Sequence, residues 1–199
     1  AGMNAPKLLT SLLLTGGVSA SVKDPLWKYK WVQNNEPENF SKTYKWPDVK
    51  DYLLLRCTNN FVMTEDSANV TFFYDTRPGH YGWSEKLLSL FGVNPDHFPQ
   101  VIKSTDEAGK LTEQAASELG LSTGTPVFGS GGDVSLLGLG SGSINQGDTH
   151  IYIGTSGWVS SVVKKRMVDI NHFIASILGA RPEHYNYISM QETSGKCLE

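Results

Sequence analysis

Cysteine is almost missing: Cys57 and Cys197 stand alone and far apart in 199 residues. With no CxxC pair and no Cys/His cluster, a zinc site has no ligand set, and a chain this long does not need a disulfide to hold it. A reducing, cytoplasmic compartment is therefore expected. Long apolar runs are missing too. No stretch reaches the roughly eighteen residues of a membrane-spanning helix, and Leu8–Leu14 is interrupted by Thr10 and Ser11. No small-residue cleavage site follows that segment, so a secretory leader is not expected. Neither sign of charge dominates, with 17 Lys and Arg against 20 Asp and Glu. Lys164-Lys165-Arg166 and Lys28-Tyr29-Lys30 are short and read as solvated surface, and nucleic-acid binding is not expected. Histidines 80, 97, 150, 172 and 184 are scattered, with no two at metal-ligand spacing.

Three chemistry-bearing patterns are also absent. No GxxxxGKS/T occurs, which excludes a P-loop nucleotide site. Gly138, Gly140 and Gly142 have the wrong spacing for the GxGxxG dinucleotide fingerprint. No GxSxG elbow occurs, so hydrolase chemistry has no support.

What is present suffices for a folded chain. Hydrophobic residues make up 39% of the sequence, enough for a core, in one large domain or one domain with part of a second. Helical apolar spacing over Lys7–Leu14 stops at Gly16-Gly17. Asp24-Pro25 opens a helix over Leu26–Asn34, with Trp27 and Trp31 four apart on one face, where core packing is the expected use. Pro47-Asp48 opens another, with Val49, Tyr52, Leu53 and Arg56 following. Phe61–Met63 reads as a short strand and the β-branched and aromatic Asn69–Tyr74 as extended. Ser84 and Thr112 are N-caps for helices Glu85–Phe91 and Glu113–Leu119, closed by Gly92 and Gly120. Val134–Gly142, apolar and small, is predicted to be a buried helix. After a turn at Gly147-Asp148, Thr149–Val163 reads as two strands about Gly154–Gly157. Tyr185–Met190 is a third strand of that separate sheet, and Lys196–Glu199 looks like the start of a helix. A soft domain boundary falls at Ser143–Asp148.

Two loops stand out. Gly129-Ser130-Gly131-Gly132-Asp133 follows the strand Pro126–Phe128, and Gly154-Thr155-Ser156-Gly157-Trp158 follows His150–Ile153. The first sets one carboxylate at a glycine turn; the second offers backbone N–H groups and hydroxyls without bulky side chains. Phosphoryl transfer to a hydroxyl needs a carboxylate to deprotonate the alcohol and a small-residue turn to hold phosphate oxygens. Each loop has a plainer reading as well. Asp133 could be a helix N-cap, and both roles can hold together because a helix N-terminus favours negative charge. Gly154–Trp158 could be an ordinary hairpin turn.

At these loops the chain resembles the FGGY family of carbohydrate kinases, in its xylulokinase-like branch. The resemblance runs end to end: Gly16-Gly17 with Lys23-Asp24-Pro25; Trp31 with Asn35-Glu36-Pro37-Glu38; Lys42–Lys45 with Asp48–Leu53; Asp66–Val70 with Phe73–Arg77; Trp83-Ser84 with Leu87-Leu88; both glycine loops; and Gln191–Gly195. Order and spacing together carry it. The resemblance implies an α/β, ribonuclease-H-like fold of the actin and hexokinase type, with sugar and ATP meeting between two lobes. It implies Asp133 as catalytic base, Gly154, Thr155 and Ser156 as a phosphate-binding turn, and Trp158 beside the bound polyol. For Trp158, packing within the hairpin stays open. ATP and Mg2+ are the implied cofactors. The expected partners are the sugar and ATP, not nucleic acid or membrane, with a homodimer formed through strand edges as the remaining option. Family members begin with an Asp-x-Gly-Thr type phosphate motif and continue into an adenine-binding region, and neither is found in this sequence. The chain is therefore expected to be an internal fragment, inactive alone: residues 1–145 from the sugar-binding lobe and 146–199 from the start of the ATP-binding lobe. The alternative is a stand-alone binding module built from a kinase remnant. Xylulose, ribulose, gluconate and glycerol stay open as substrates.

Overall fold

The computed structural model describes residues 2–172 and 174–198. Local capping chemistry sets most helix boundaries. Helix α1 (Ala5–Thr15) starts where Asn4 accepts the Lys7 N–H and ends at left-handed Gly16. Helix α2 (Pro25–Asn35) starts on a proline, whose missing N–H costs nothing there. A short helix α3 (Pro37–Ser41) leads to α4 (Val49–Thr58), which the Asp48 carboxylate caps.

Strand β1 (Val62–Thr64) runs directly into α5 (Glu65–Val70). Strands β2 (Tyr74–Asp75) and β3 (Gly82–Trp83) pair antiparallel. Helix α6 (Glu85–Phe91) follows, capped by Ser84 and closed by left-handed Gly92. Strand β4 (Gln100–Ile102) pairs parallel with β1. Strand β5 (Glu107–Lys110), helix α7 (Glu113–Leu119) and strand β6 (Pro126–Phe128) form the next unit, β5 and β6 antiparallel. Helix α8 (Asp133–Gly140) crosses to the second half. There β7 (Thr149–Ile153), β8 (Gly157–Val163), β9 (Val168–Asp169), β10 (Ile174–Leu178) and β11 (Tyr185–Gln191) make one antiparallel sheet in the order β7-β8-β11-β10-β9. Gly195–Leu198 is a short 3₁₀ turn; the expected helix start there reaches Glu199, which lies outside the described residues.

The largest apolar cluster gathers Leu14, Leu26, Tyr29, Phe73, Leu87, Leu88, Phe91, Val93 and Phe98. A second joins Met63, Ala68 and Tyr74 to Leu178 and Tyr185 of the five-stranded sheet. Buried polar bonds tie the same parts together: Leu178 N–H donates to Asn69 Oδ1 at 2.8 Å, and Asn186 Nδ2 to Ser135 Oγ at 3.0 Å.

Several expectations need correction. Asn69–Tyr74 is not extended: α5 runs through Val70, the chain turns at Thr71-Phe72, and only Tyr74–Asp75 is strand. Glu65 and Asp66 in the first turn favour that helix, and the buried Asn69 side-chain Oδ1 accepts the Leu178 N–H; both outweigh β-propensity. Trp31 is 57% exposed, and α2 buries Leu26 and Tyr29 instead. Helix α8 buries only Ser135 and Gly138; Leu136, Leu137 and Leu139 are exposed. Its small-residue face is the one that meets the sheet, because Gly138 lets His150 come close: a Cβ there would lie 3.0 Å from His150 Cε1. Strands β9 and β10 were not expected. Arg166 is not plain surface either, since its Nη2 donates to the Leu12 and Leu13 carbonyls at the end of α1, at 2.8 and 2.9 Å.

Candidate active site at the two glycine turns

The carboxyl ends of β1, β4 and β6 converge. A Cβ on Gly129, the first residue after β6, would lie 2.8 Å from the Lys103 carbonyl oxygen after β4 and 2.8 Å from Thr64 Cγ2 at the end of β1. Close backbone approach therefore requires glycine at 129. Ser130 takes the left-handed region at φ 64°, a conformation costly for a non-glycine residue. At Gly131 a Cβ would fall 2.7 Å from Ala180 Cβ, on the connection between β10 and β11. In α/β proteins, strand ends that converge this way are where ligands bind.

The turn is held at both ends. Lys50 Nζ donates to the Gly129 carbonyl at 3.3 Å, and the Gly132 N–H donates to Asp66 Oδ2 at 2.6 Å. Asp66 Oδ1 accepts from Thr64 Oγ1 at 2.5 Å and from the Ser67 N–H at 2.9 Å. Lys50 also donates to Thr64 Oγ1 at 2.7 Å and pairs with Asp51 Oδ1 at 2.5 Å. Burial pushes the Asp51 carboxyl up, and the Lys50 ammonium opposes that rise. None of Lys50, Thr64 or Asp66 was a site candidate from sequence. Lys50 and Asp66 fall within matched segments, but no local pattern says that they meet the turn.

Asp133 is the first residue of α8, not its cap. Gly132 occupies the cap position and has no side chain to fill it. The Asp133 side chain is exposed; Oδ1 accepts the Val134 N–H at 2.9 Å, and Oδ2 has no protein donor among the described residues.

The second turn joins β7 to β8. The Gly154 N–H is used internally, donating to the Ser156 carbonyl at 2.8 Å. The segment after β11 closes over the turn: Gly195 N–H donates to the Gly154 carbonyl at 2.7 Å and Ser194 N–H to the Thr155 carbonyl at 2.8 Å. The amides and hydroxyls of Thr155 and Ser156 make no protein hydrogen bond among the described residues. Thr155 borders a cavity of about 420 Å³ that Ile153, Gly154, Gly195 and Lys196 also line; Ser156 is not among its lining residues. Gly195 and Lys196 are additions that only the fold reveals.

Trp158 is 7% exposed and packs within the hairpin. Its ring stacks on Tyr152 at 4.0 Å between centroids, and its Nε1 donates to His150 Nε2 at 3.2 Å. Burial pushes the His150 imidazole below its ordinary value. No hydrogen bond among the described residues links Asp133 to Gly154–Ser156. They are connected through packing: α8 rests its Gly138 on His150, His150 holds Trp158, and Trp158 adjoins Gly157. No cluster of three or more His, Cys, Asp or Glu among the described residues is placed to hold a metal. No helix among them is long and apolar enough to cross a membrane.

Residues 8–140 match the family model described as the FGGY family of carbohydrate kinases, N-terminal domain. The chain belongs to the FGGY family of carbohydrate kinases. Within this family it is 27% identical to the xylulose kinase of Escherichia coli (strain K12) over 193 residues, 97% of this chain and 38% of that one. It is 28% identical to the gluconokinase of Bacillus subtilis (strain 168) over 145 residues, 73% of this chain and 28% of the relative. The fold matches the crystal structure of a xyloylose kinase from Brucella ovis with a TM-score of 0.86 at 24% identity, over 96% of this chain and 39% of that chain. The FGGY chain thus spans 28% to 38% of the length of these two curated relatives, and its mixed α/β fold is that of sugar kinases.

Proposed function

We propose that the chain is part of an ATP-dependent sugar kinase that transfers the γ-phosphate of ATP to a hydroxyl of a pentulose such as D-xylulose. The observation that carries this reading is Asp133. It stands exposed just after the glycine turn whose first residue meets three strand ends, with one carboxylate oxygen unengaged by protein among the described residues. Such an oxygen can take the proton of a sugar hydroxyl while the hydroxyl oxygen bonds to the γ-phosphorus and ADP leaves.

The residues of the second turn suit phosphate. Thr155 and Ser156 carry uncommitted amides and hydroxyls among the described residues, and Thr155 lines an open cavity. Gly154 contributes close approach rather than its N–H. Mg2+ bound with ATP would neutralise charge on the phosphates; no protein cage for it is required, since Mg2+ is commonly held by substrate phosphates and water. Trp158 supports this wall through Tyr152 and His150 rather than by presenting its own surface to the sugar. The division into a sugar-binding part, 1–145, and the start of an ATP-binding part, 146–199, belongs to the same proposal. So does the expectation that the 199-residue chain alone turns over no sugar.

The test is Asp133→Asn in the complete gene product, assayed for sugar-dependent ADP release against xylulose, ribulose, gluconate and glycerol. Turnover on the preferred sugar is expected to fall about 10²–10⁴-fold with sugar affinity unchanged. Near-normal turnover would remove Asp133 as base and leave it a first-turn helix residue. No sugar-dependent ADP release from the parent protein would favour a non-catalytic binding module.

A further inference from the structure

We propose that Lys50 and Asp66 are positioning residues that bracket the Gly129–Gly132 turn and thereby aim the Asp133 carboxylate. This rests on the reading of Asp133 as the base.

Main-chain bonds engage the Gly129 N–H, which donates to the Asp106 carbonyl at 2.9 Å, and the Gly132 carbonyl, which accepts the Leu136 N–H at 3.0 Å; the Gly129 carbonyl and the Gly132 N–H depend on side chains. Three of the turn's four residues are glycines, and the fourth, Ser130, sits in the left-handed region. Its backbone is gripped at its first and last residues by two side chains from a different part of the chain, the Gly129 carbonyl by Lys50 and the Gly132 N–H by Asp66. Gly132 is joined to Asp133 by a single peptide unit, so a rotation of the Gly132 amide swings the Asp133 side chain.

The two grips are one device. Asp66 is 5% exposed, and both its oxygens are committed, one to Thr64 and Ser67, the other to Gly132. The Thr64 hydroxyl has a single proton, which goes to Asp66, so its lone pairs are free for the Lys50 ammonium. Donation therefore runs from Lys50 to Thr64 to Asp66, and Asp66 fixes the turn. Lys50 is itself anchored on Asp51, whose side chain is fully buried in α4. Both ends of the bracket trace back to the α4–β1–α5 unit. The expected consequence is a dependence of the chemical step, and not of ground-state binding, on residues that never touch substrate.

The experiment uses the complete enzyme with Lys50→Met, Asp66→Asn and Asp66→Ala, beside Asp133→Asn, with kcat and both KM values measured and a melting curve for each protein. Lys50→Met keeps the aliphatic stem and removes the grip on Gly129. Asp66→Asn keeps one acceptor for the Gly132 N–H. Lys50→Met and Asp66→Ala are expected to lower kcat about 10–100-fold, the scale of an ångström-size misplacement, with each KM within about twofold. Asp66→Asn is expected to recover part of the Asp66→Ala loss. If Asp66→Ala does not fold, Lys50→Met and Asp66→Asn decide. A kcat within twofold of the parent in these two, while Asp133→Asn is crippled, overturns the positioning role and leaves the base assignment standing. A loss that merely follows the folded fraction, or failure of all three variants to fold, also overturns it in favour of a structural role. Full activity in Asp133→Asn sinks the base reading itself, whatever the other variants do.

Discussion

Replacing Gly131 by alanine tests the close approach between the Asp133 turn and the five-stranded sheet. The added Cβ would lie 2.7 Å from Ala180 Cβ, 3.2 Å from Asp66 Oδ2 and 3.4 Å from Leu136 Cδ2. Carbon atoms in contact sit about 3.5–4.0 Å apart, so the turn and the β10–β11 connection must separate by about 1 Å. The Leu136 methyl can swing away. Ala180 cannot, because its Cβ is the first atom off a buried backbone, and Asp66 is already bound to Gly132. Overpacking of this kind costs about 1–3 kcal/mol. For a chain of this size that corresponds to a fall in Tm of about 2–12 °C. Ala180→Gly removes the opposing carbon. In the double variant most of the loss should return, apart from the fraction of a kcal/mol that a new glycine costs through backbone entropy. The cycle should show a coupling of about 0.5–3 kcal/mol. Urea unfolding followed by tryptophan fluorescence gives all four corners. The reasoning is refuted if Gly131→Ala melts like the parent, or if Ala180→Gly adds its own cost to the double variant and relieves nothing.

Two further outcomes are expected. In the complete enzyme, Thr155→Val should raise the KM for ATP while leaving that for the sugar nearly unchanged, because its hydroxyl borders the cavity at the second turn and is free of protein partners among the described residues; equal effects on both substrates would remove Thr155 from the phosphate site. Burial pushes the His150 imidazole below its ordinary value, so the unfolded chain takes up the proton first as pH falls. The stability it contributes is then present above about pH 6.5 and is lost as pH drops through the folded value. His97 is lowered for the same reason, while Asp51 and Glu65, raised by burial, act in the opposite sense at lower pH. Melting curves from pH 7.5 to 5.5 should show Tm falling, with a shallower slope in His150→Asn; an unchanged slope would mean that His150 does not carry the effect.

Helix boundaries were legible in the sequence at the Ser and Thr caps whose side chains meet a neighbour's N–H and at the glycines that close a helix in the left-handed region. Ser84, Thr112, Gly92 and Gly120 act where their spacing says they should, because capping is a contact across three or four residues. The two glycine turns were legible for a related reason: glycine and small hydroxyl residues after a short apolar run mark a place where backbone must stay bare. Burial was not legible in the same way. Leu136, Leu137 and Leu139 look like core and are exposed, whereas Ser135 and Gly138 look indifferent and meet the sheet. Which face of a helix is covered depends on what lies opposite, and His150 and Asn186 come from strands that the helix itself does not specify. The same limit hid the two side chains that hold the first glycine turn. Lys50 and Asp66 lie 79 and 66 residues before Gly129 and Gly132, and no periodicity spans such a gap. The sequence by itself determined that a carboxylate follows a glycine turn and that a second small-residue turn follows another strand. Only the tertiary structure decided what grips the first turn, what closes over the second and which residues stand between them. Hydrogen bonds and close contacts between distant segments exist only once the parallel pairing of β1 with β4 and the packing of α8 on the sheet have brought those segments together.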